Sequence, residues 1–291
     1  MLEHVHETIR PPARVVVVGA RGFVGGAVAA RLERDKTPVV RLSRNDVDLL
    51  GEGAAAKLAA TLRPDDGVVF VSALAPARNS AMLLQNLTMA EAAAQALAEK
   101  PIAHLVYISS DAVYADDANP VTERSCCQPS SFHGMMHAAR ELMMKSATKA
   151  PVALLRPSLL YGQLDPHNGY GPNRFRRLAA KGEAITLFGE GEEQRDHVFI
   201  DDVAELVALV LGRRSRGVLN IATGVSPSFR TVAEMVCALA PRPVEIKGTP
   251  RQNPVTHRHF DIADCLKAFP EFHYTPLKEG LMRSAEQAAT A

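Results

Sequence analysis

The sequence predicts an α/β protein built on a doubly wound parallel sheet, with a smaller α+β lobe toward its carboxyl end. Three observations point to this class. A β-branched run, Val15 to Val18, ends at a glycine-rich turn, short apolar segments then alternate with helical patterns, and after Tyr161 the chain becomes rich in Gly, Pro, Asn and Arg. Alternating strands and helices form parallel sheets whose ligand crevice lies at the carboxyl ends of the strands.

The spacing of apolar residues places the individual elements. After the strand at 14–18 and an alanine-rich helix containing residues 27–32, further strands are predicted at 36–42, 67–73, 103–109, 151–156 and 217–221. Helices are predicted at 54–62, 81–99, 132–148 and 201–211, and small α+β pieces, including 231–239, follow from residue 227. Turn signals indicate that 162–197 forms loops. We therefore expect a main domain at 12–165, joined by 198–224, and a substrate lobe made of 166–197 and 225–291.

Composition argues against several classes of function. The 291 residues are 47% hydrophobic and carry a formal net charge of +1, with no basic block that would bind nucleic acid. The first twelve residues are polar, unlike a signal sequence, and the longest apolar run near the start is too short to span a bilayer. We expect a cytoplasmic protein without membrane contact. The four cysteines lack the C-x-x-C spacing of a zinc site, so free thiols are expected.

The turn after the first strand contains three glycines spaced three residues apart. Gly19 permits a tight turn, Gly22 allows close approach of a pyrophosphate, and Gly25 lets the following helix lie close to the strand. The helix then directs its first N–H groups and its dipole at the anion. A glycine-rich turn without a ligand is the alternative, but the flanking strand and helix favour a bound dinucleotide.

Four segments together carry a family resemblance: Gly19-Ala20-Arg21-Gly22-Phe23-Val24-Gly25, Tyr107-Ile108-Ser109-Ser110-Asp111-Ala112-Val113-Tyr114, Leu155-Arg156-Pro157-Ser158-Leu159-Leu160-Tyr161-Gly162, and Gln194-Arg195-Asp196-His197-Val198-Phe199-Ile200-Asp201-Asp202-Val203. In this order they resemble the NAD(P)-dependent epimerase/dehydratase family of the extended short-chain dehydrogenases/reductases. The resemblance runs from about Arg14 to Leu281. It implies a Rossmann domain that binds a nicotinamide cofactor and a lobe that holds a nucleoside-diphosphate sugar.

The catalytic pair departs from the family pattern. The family has a Tyr and, four residues later, a Lys on the helix after the Ser-Ser strand. Here the glycine after the first position and the glutamate four after the second align His133 with the Tyr and His137 with the Lys. His133 could exchange the proton, since a histidine titrates near neutral pH, and His137 could hold the ribose or polarise His133. Alternatively both histidines fill a helix face in a protein without turnover, or share a metal ion, although no third ligand is evident.

The resemblance assigns further roles around this pair. Ser110 aligns with the catalytic hydroxyl and Asp111 resembles the acid of the dehydratase branch, while a strand-end cap and a turn former are their structural alternatives. Tyr114 is interpreted as core packing. Cofactor contacts are implied for a larger set: Gly19, Arg21, Gly22, Phe23, Val24, Gly25, Ser43, Arg44, Ala73, Asn86 and Pro157.

Cofactor choice depends on the end of the second strand, where NAD binders carry an acid and NADP binders carry positive charge. The segment Arg41-Leu42-Ser43-Arg44-Asn45 has no acid, and Arg21 lies in the glycine turn. NADP is therefore favoured over NAD. Asp46 and Asp48 follow closely enough that a shifted strand boundary would restore an NAD site.

Arginines are expected to bind the substrate diphosphate, since their planar guanidinium groups fit it. Arg195 and Arg258 match the family's diphosphate contacts, and Asn173 is assigned to the substrate site. Arg174, Arg176 and Arg177 lie in the lobe, where a solvated helix face explains at least two of them. The resemblance also suggests a homodimer formed by the helices at 81–99 and 132–148, with Ala92, Ala93, Ala96, Met135 and Met143 suited either to that contact or to the sheet.

The leading hypothesis is an NAD(P)-dependent enzyme that transfers hydride between the nicotinamide and a nucleotide sugar, as an epimerase or 4-ketoreductase, with Ser110 and His133 handling the proton. Two other functions remain open. The cofactor could serve a different small carbonyl substrate, or the protein could be a cofactor-binding regulator or scaffold that has lost catalysis.

Overall fold

A seven-stranded sheet forms the centre of the computed structural model, which describes residues 2–289. Its strands are β1 (Leu2–Glu3), β2 (Arg14–Val18), β3 (Val39–Leu42), β4 (Asp66–Phe70), β5 (His104–Ile108), β6 (Val152–Pro157) and β10 (Arg216–Ile221). They lie in the order β1-β10-β6-β5-β4-β2-β3, and every neighbouring pair is parallel except β1 with β10. The predicted doubly wound sheet is confirmed.

Helices cover both faces of this sheet. They are α1 (Phe23–Arg34), α2 (Ala54–Thr61), α3 (Ser80–Glu99), α4 (Phe132–Ala147) and α6 (Ile200–Gly212). Val15 and Val17 of β2 pack with α1 and α6, whereas Val16 and Val18 pack with α2 and α3. Because successive side chains of a strand point to opposite faces, the unbroken valine run supplies both cores.

The lobe is more regular than the sequence suggested. It contains α5 (Pro172–Lys181), α7 (Phe229–Ala238) and the parallel pair β8 (Ile185–Phe188) and β11 (Ile246–Thr249), with α8 (Ala263–Ala268) and α9 (Leu277–Ala289) later in the chain. The expectation that 162–197 forms only loops was wrong. Pro172 begins α5 and Gly182, with φ 71°, ends it, which are ordinary start and stop signals of a helix.

A second small sheet connects the lobe to the main domain. In it β7 (Leu159–Tyr161) pairs in parallel with β9 (His197–Phe199). Two strand boundaries differ from prediction by three residues: β3 begins at Val39 and β4 ends at Phe70. The residues after β4 are therefore free to line a crevice. Within the described residues, no helix has the length and apolarity needed to cross a membrane.

Candidate active site

A cavity of about 490 Å³ opens at the carboxyl ends of the strands, between the sheet and the lobe. Most predicted site residues line it: Gly19, Gly22, Phe23, Val24, Gly25, Ala73, Ser110, Asp111, His133, His137, Pro157 and Asn173. Residues that are far apart in the sequence thus meet where a doubly wound sheet binds ligands.

The three glycines of the first turn differ in what an added side chain would contact. Gly19 has φ +101°, and a Cβ there would lie 2.8 Å from the backbone nitrogen of Ser72. A Cβ on Gly25 would lie 2.3 Å from the carbonyl oxygen of Gly19, so α1 can pack against the turn only without a side chain. Gly22 is different, because its Cβ would meet only the Gly19 oxygen, at 3.3 Å. Since Gly22 lines the cavity beside the start of α1, a ligand phosphate can approach its backbone.

The end of β3 presents positive charge. Arg44 is exposed and forms an ion pair with Asp48 at 3.1 Å, and Arg21 is exposed in the glycine turn. The carboxylate of Asp46 accepts hydrogen bonds from the Ser43 backbone N–H at 2.8 Å and from the Ser43 hydroxyl at 2.6 Å. Ser43 and Asp46 therefore hydrogen-bond each other, and the exposed charged groups of this edge include Arg21 and Arg44 together with the Asp46 carboxylate.

Helix α4 approaches the Ser110 segment because Gly134 has no side chain. A Cβ on Gly134 would lie 2.0 Å from the carbonyl oxygen of Ala112, which belongs to the 3₁₀ turn Asp111–Val113. Ser131 caps the helix by accepting a hydrogen bond from the Gly134 N–H at 3.1 Å. These two contacts place His133, in the first turn of α4, at the cavity wall that Ser110 and Asp111 also line.

A buried ion pair holds the other side of α4. Glu141 accepts two hydrogen bonds from Arg156 of β6, at 2.8 and 2.6 Å, and one from the Ser109 hydroxyl at 2.6 Å. Sequence reasoning used Glu141 only to align the helix. Its contacts explain the alignment, since Gly134 and Glu141 fix the helix that carries both histidines.

The two histidines form a connected pair. Their ring centroids lie 4.7 Å apart at an interplanar angle of 88°. His137 is buried, and its Nδ1 lies 2.8 Å from the hydroxyl of Tyr107 on β5. Burial lowers the pKa of His137 well below 6.5 and raises the pKa of Tyr107 to about 12, so both groups are neutral near pH 7. Their hydrogen bond holds the imidazole in place.

His133 is the more accessible member of the pair. Its Nδ1 is buried without a hydrogen-bond partner, and its ring lines the cavity. Burial lowers the pKa of His133 below 6.5, and the charges of His167 and Arg140 lower it further. The neutral imidazole therefore predominates at neutral pH and can accept a proton from a ligand hydroxyl.

Arg140 was missed by sequence reasoning. Its guanidinium is fully buried over the rings of Phe70 and Tyr107, at 4.7 and 5.4 Å, and donates to the Ser72 carbonyl at 2.6 Å. No carboxylate among the described residues pairs with it. The helical spacing of the sequence did indicate that Arg140 is buried, because this residue falls on the face of α4 that also carries the buried residues Met136, His137 and Met144. A cation thus lies one turn beyond the position of the family's lysine.

Ser110 and Asp111 combine structural and chemical roles. The Ser110 hydroxyl accepts a hydrogen bond from the Ala112 N–H at 3.2 Å and lies 3.4 Å from the Asp111 carboxylate. Burial raises the pKa of Asp111 to about 6, opposed mainly by the charge of Arg258. A carboxyl group with this pKa keeps a protonated fraction near neutrality and can donate a proton.

The two predicted diphosphate arginines lie around Asp111. Arg258 donates to the carbonyl oxygens of Asp111 and Ala115, at 3.0 and 3.1 Å. Arg195 donates to the Thr256 carbonyl at 2.6 Å, and the charges of Arg258 and Asp111 act on its pKa, which burial lowers. The structure therefore places two guanidinium groups beside the cavity, although neither arginine lines it and each also pairs with a carboxylate.

Several predicted residues support the site indirectly. Asn86 is fully buried and does not line the cavity. Its amide holds the backbone N–H and carbonyl of Leu74, at 2.9 and 3.0 Å, so the expected cofactor contact is replaced by support of the loop after β4. Asn173 lines the cavity, yet its amide binds the backbone of Leu160 and Gly162, each at 3.1 Å. Tyr114 is core, as interpreted, with its hydroxyl on Asn220 at 2.6 Å.

No set of three His, Cys, Asp or Glu side chains in the described part of the chain is arranged to hold a metal ion. The cysteines are free, as expected, with Cys126 and Cys127 exposed. The chemistry available at the cavity is therefore a phosphate cradle, adjacent positive charge, and proton-exchanging groups.

The fold and this site define a dinucleotide-binding α/β protein of the short-chain dehydrogenase type. The model of the NAD dependent epimerase/dehydratase family matches residues 15–222. The chain belongs to that family.

Relatives and solved structures agree with this assignment. The chain is 24% identical, over 92% of its length and 95% of the relative, to a Bacillus subtilis (strain 168) protein named uncharacterized UDP-glucose epimerase YtcB. Its fold is similar to that of a Thermotoga maritima UDP-glucose 4-epimerase with UDP-glucose, at a TM-score of 0.83 and 20% identity over 95% of this chain and 99% of that one. It is also similar to a Naegleria fowleri GDP-L-fucose synthetase bound to NADP, at a TM-score of 0.85 and 16% identity over 100% and 99%.

Proposed function

We propose that this protein is an NAD(P)-dependent enzyme that oxidises and reduces a carbon of a nucleoside-diphosphate sugar, as an epimerase or a 4-ketoreductase. One observation carries the proposal: the glycine cradle and the proton-exchanging groups Ser110, Asp111 and His133 line one cavity. A scaffold that only bound a dinucleotide would need the cradle alone. The buried cation of Arg140 and the raised pKa of Asp111 are costly features typical of functional sites.

The cradle fits a dinucleotide, because side chains are excluded at Gly19 and Gly25 while Gly22 stays open. Bound NAD(P) supplies a hydride donor or acceptor. The protein's own residues handle the proton: His133 accepts it from the substrate hydroxyl during oxidation and returns it during reduction, and the Ser110 hydroxyl orients the same oxygen. Arg195 and Arg258 hold the diphosphate, and Tyr107 holds His137, which burial keeps neutral, beside His133.

The test is a thermal-shift panel of NAD, NADP and nucleotide sugars, followed by absorbance at the reduced-nicotinamide band with the ligands that bind. Stabilisation by one cofactor and one nucleotide sugar, with slow reduction of the cofactor, is expected. Cofactor binding without sugar binding or turnover would favour the regulatory protein, since the histidine pair replaces the family's catalytic residues. Turnover only with simple carbonyl compounds would favour the other enzyme function.

NADP is the proposed cofactor. Arg21 and Arg44 supply exposed positive charge at the end of β3, and the carboxylate of Asp46 is already engaged by Ser43. A 2′-phosphate is therefore better matched than free ribose hydroxyls. Among structures of similar fold, one is bound to NADP and others are in complex with NAD.

We also propose a homodimer through the two expected helices, α3 and α4, although most of the residues expected at the contact are buried. Ala92, Ala93 and Ala96 are buried against the chain's own core and Met143 packs against it, so those residues face inward. The exposed large apolar side chains of α3 and α4 are Met135, which was expected, and Leu84, Phe132 and Leu142, which were not. Light scattering at micromolar concentration is expected to show a dimer, and Leu142→Glu is expected to yield a monomer.

The free thiols suit the proposed cytoplasmic location.

A further inference from the structure

His197 is the buried histidine whose ring nitrogens both lack hydrogen-bond partners. It begins β9, pairs with Leu159 of β7, lines the cavity, and has only 3% of its surface exposed. Leaving a buried polar atom unpaired costs free energy, and a histidine in an ordinary core position satisfies at least one nitrogen. His104, also buried, shows the ordinary case, with its Nε2 2.6 Å from the Ser215 carbonyl.

The side chains packed against His197 do not pair with its ring nitrogens. The ring lies 5.7 Å from the ring of Phe229 and packs close to Gly171, where a Cβ would lie 3.4 Å from the imidazole carbon. Neither neighbour provides a hydrogen-bond partner, and the ring also lines the cavity.

Three other polar side chains on the lobe side of the cavity each make at least one hydrogen bond within the protein. Asn173 binds the backbone of Leu160 and Gly162, Asp165 accepts from the Asn168 N–H at 3.1 Å, and the Tyr170 hydroxyl accepts from the Phe188 N–H at 3.0 Å. On this wall, within the described residues, His197 retains free capacity for a ligand.

The chemistry of the ligand group follows from the charge of the imidazole. Burial lowers the pKa of His197 to about 3, and the charge of Arg195 lowers it further, so the ring is neutral. A neutral imidazole offers one N–H donor and one bare nitrogen acceptor. An anion suits the arginines better, whereas a hydroxyl group can both give and receive a hydrogen bond.

We propose that His197 is a specificity-determining residue whose imidazole hydrogen-bonds an uncharged hydroxyl of the substrate's sugar ring. This inference rests on the proposed function, because it takes the ligand to be a nucleotide sugar. It adds a recognition contact on the lobe, separate from the proton-exchanging groups on α4.

The experiment compares His197→Phe with wild type, because phenylalanine keeps a flat ring among aromatic neighbours and removes both nitrogens. Affinities for UDP-glucose and GDP-L-fucose are measured beside those for UDP and GDP. We expect affinity for the nucleotide sugar that wild type binds to fall about tenfold, with affinity for the matching nucleoside diphosphate unchanged. His197→Gln, which keeps a donor and an acceptor, is expected to recover part of the loss.

A second measurement needs no ligand. Since the free protein leaves the nitrogens unpaired, His197→Phe is expected to raise the melting temperature. The control is His104→Phe, which removes the bond to Ser215 and is expected to lower the melting temperature without changing ligand selectivity. Wild type that bound no nucleotide sugar would contradict the proposed function.

Three outcomes would contradict the proposed contact between His197 and the sugar. Equal affinities of wild type and His197→Phe for the nucleotide sugar would overturn it. An equal loss for the sugar and the diphosphate would also overturn it, since the contact would then lie on the nucleotide. A melting temperature below that of wild type would show that the imidazole is satisfied within the protein.

Discussion

The glycine turn after β2 and the helix α4 form two walls of the same cavity, and they follow the family pattern to different degrees. In the turn, the groups that face the ligand phosphate belong to the backbone. The glycines are required by close contacts such as that of Gly25 with the Gly19 carbonyl. In α4, Gly134 and Glu141 fix the backbone by equally close contacts, but the side chains that handle protons have changed. A backbone site tolerates little variation, whereas a fixed helix can carry different proton chemistry.

The changes on α4 depend on one another. A lysine at position 137 would place an ammonium group in a buried site near the Arg140 guanidinium, which has no carboxylate partner among the residues that the structure describes. Two buried cations repel strongly. A neutral His137, held by Tyr107, is compatible with Arg140. The histidine pair and the buried arginine are therefore best understood as a single alternative arrangement.

The largest expected effect comes from His133→Phe. Removing a general acid/base costs about 10²- to 10⁴-fold in turnover, while binding of cofactor and sugar should persist. In wild type, the oxidation rate is expected to fall as pH drops through a pKa below 6.5, because His133 must be neutral to accept the proton. His137→Ala should be milder, since it positions His133. Steady-state kinetics from pH 4.5 to 9 measures both effects.

Full turnover by the His133→Phe protein would transfer the proton role to Asp111, whose pKa of about 6 makes it the next group to test by Asp111→Asn. Tyr114 is not a substitute, because its phenol is buried on Asn220. Restoring the family pair by His133→Tyr and His137→Lys is expected to destabilise the protein unless Arg140→Met accompanies it. Stable folding of the double variant would contradict the coupling with Arg140.

The contrast between the two walls also explains what the sequence could reveal. Strand and helix periodicity placed the sheet, and Gly134 with Glu141 placed the histidines, because these signals are local or depend on glycine. Leu2–Glu3 was missed because a two-residue edge strand is defined only by its partner β10. The unpaired nitrogens of His197 and the aromatic setting of Arg140 are properties of tertiary contacts. No spacing in the sequence contains them.

Gly22→Val tests the glycine turn after β2, which is the cavity wall that keeps the family pattern. A branched side chain at the cavity edge, where a phosphate must approach the backbone, is expected to weaken cofactor binding on the order of 100-fold. The fold should survive, because the new Cβ meets only the Gly19 oxygen at 3.3 Å. Gly26→Ala is the control, since its Cβ would make an ordinary contact at 3.5 Å with the Ala20 oxygen. Titration calorimetry with NADP showing unchanged affinity for Gly22→Val would refute the phosphate cradle.

Arg195→Ala is expected to have a smaller effect, confined to the sugar nucleotide. Loss of a charge-assisted contact costs about 1.5 to 3 kcal/mol of binding free energy, while cofactor affinity should stay within a factor of about two. Arg230→Ala, which removes an exposed arginine paired with Glu190, is the control and should change neither affinity. If Arg195→Ala lost both affinities together, its bond to Thr256 would instead be structural, joining the two parts of the protein.

The smallest expected effect concerns the cofactor's 2′-phosphate. Arg44 is 74% exposed, so its contact with that phosphate is screened by solvent, and Arg44→Asp is expected to reduce the preference for NADP over NAD by about tenfold. The substitution also removes the ion pair with Asp48, which contributes little because it lies at the surface. Arg63→Asp, an exposed change before β4 at the opposite end of the sheet, should leave the preference unaltered. The ratio of the NADP to the NAD dissociation constant at 50 and 300 mM salt measures the effect, and salt should raise this ratio toward 1 only in proteins that keep Arg44. Equal ratios in wild type and Arg44→Asp would mean that Arg44 does not read the 2′-phosphate, leaving Arg21 as the basis of any preference.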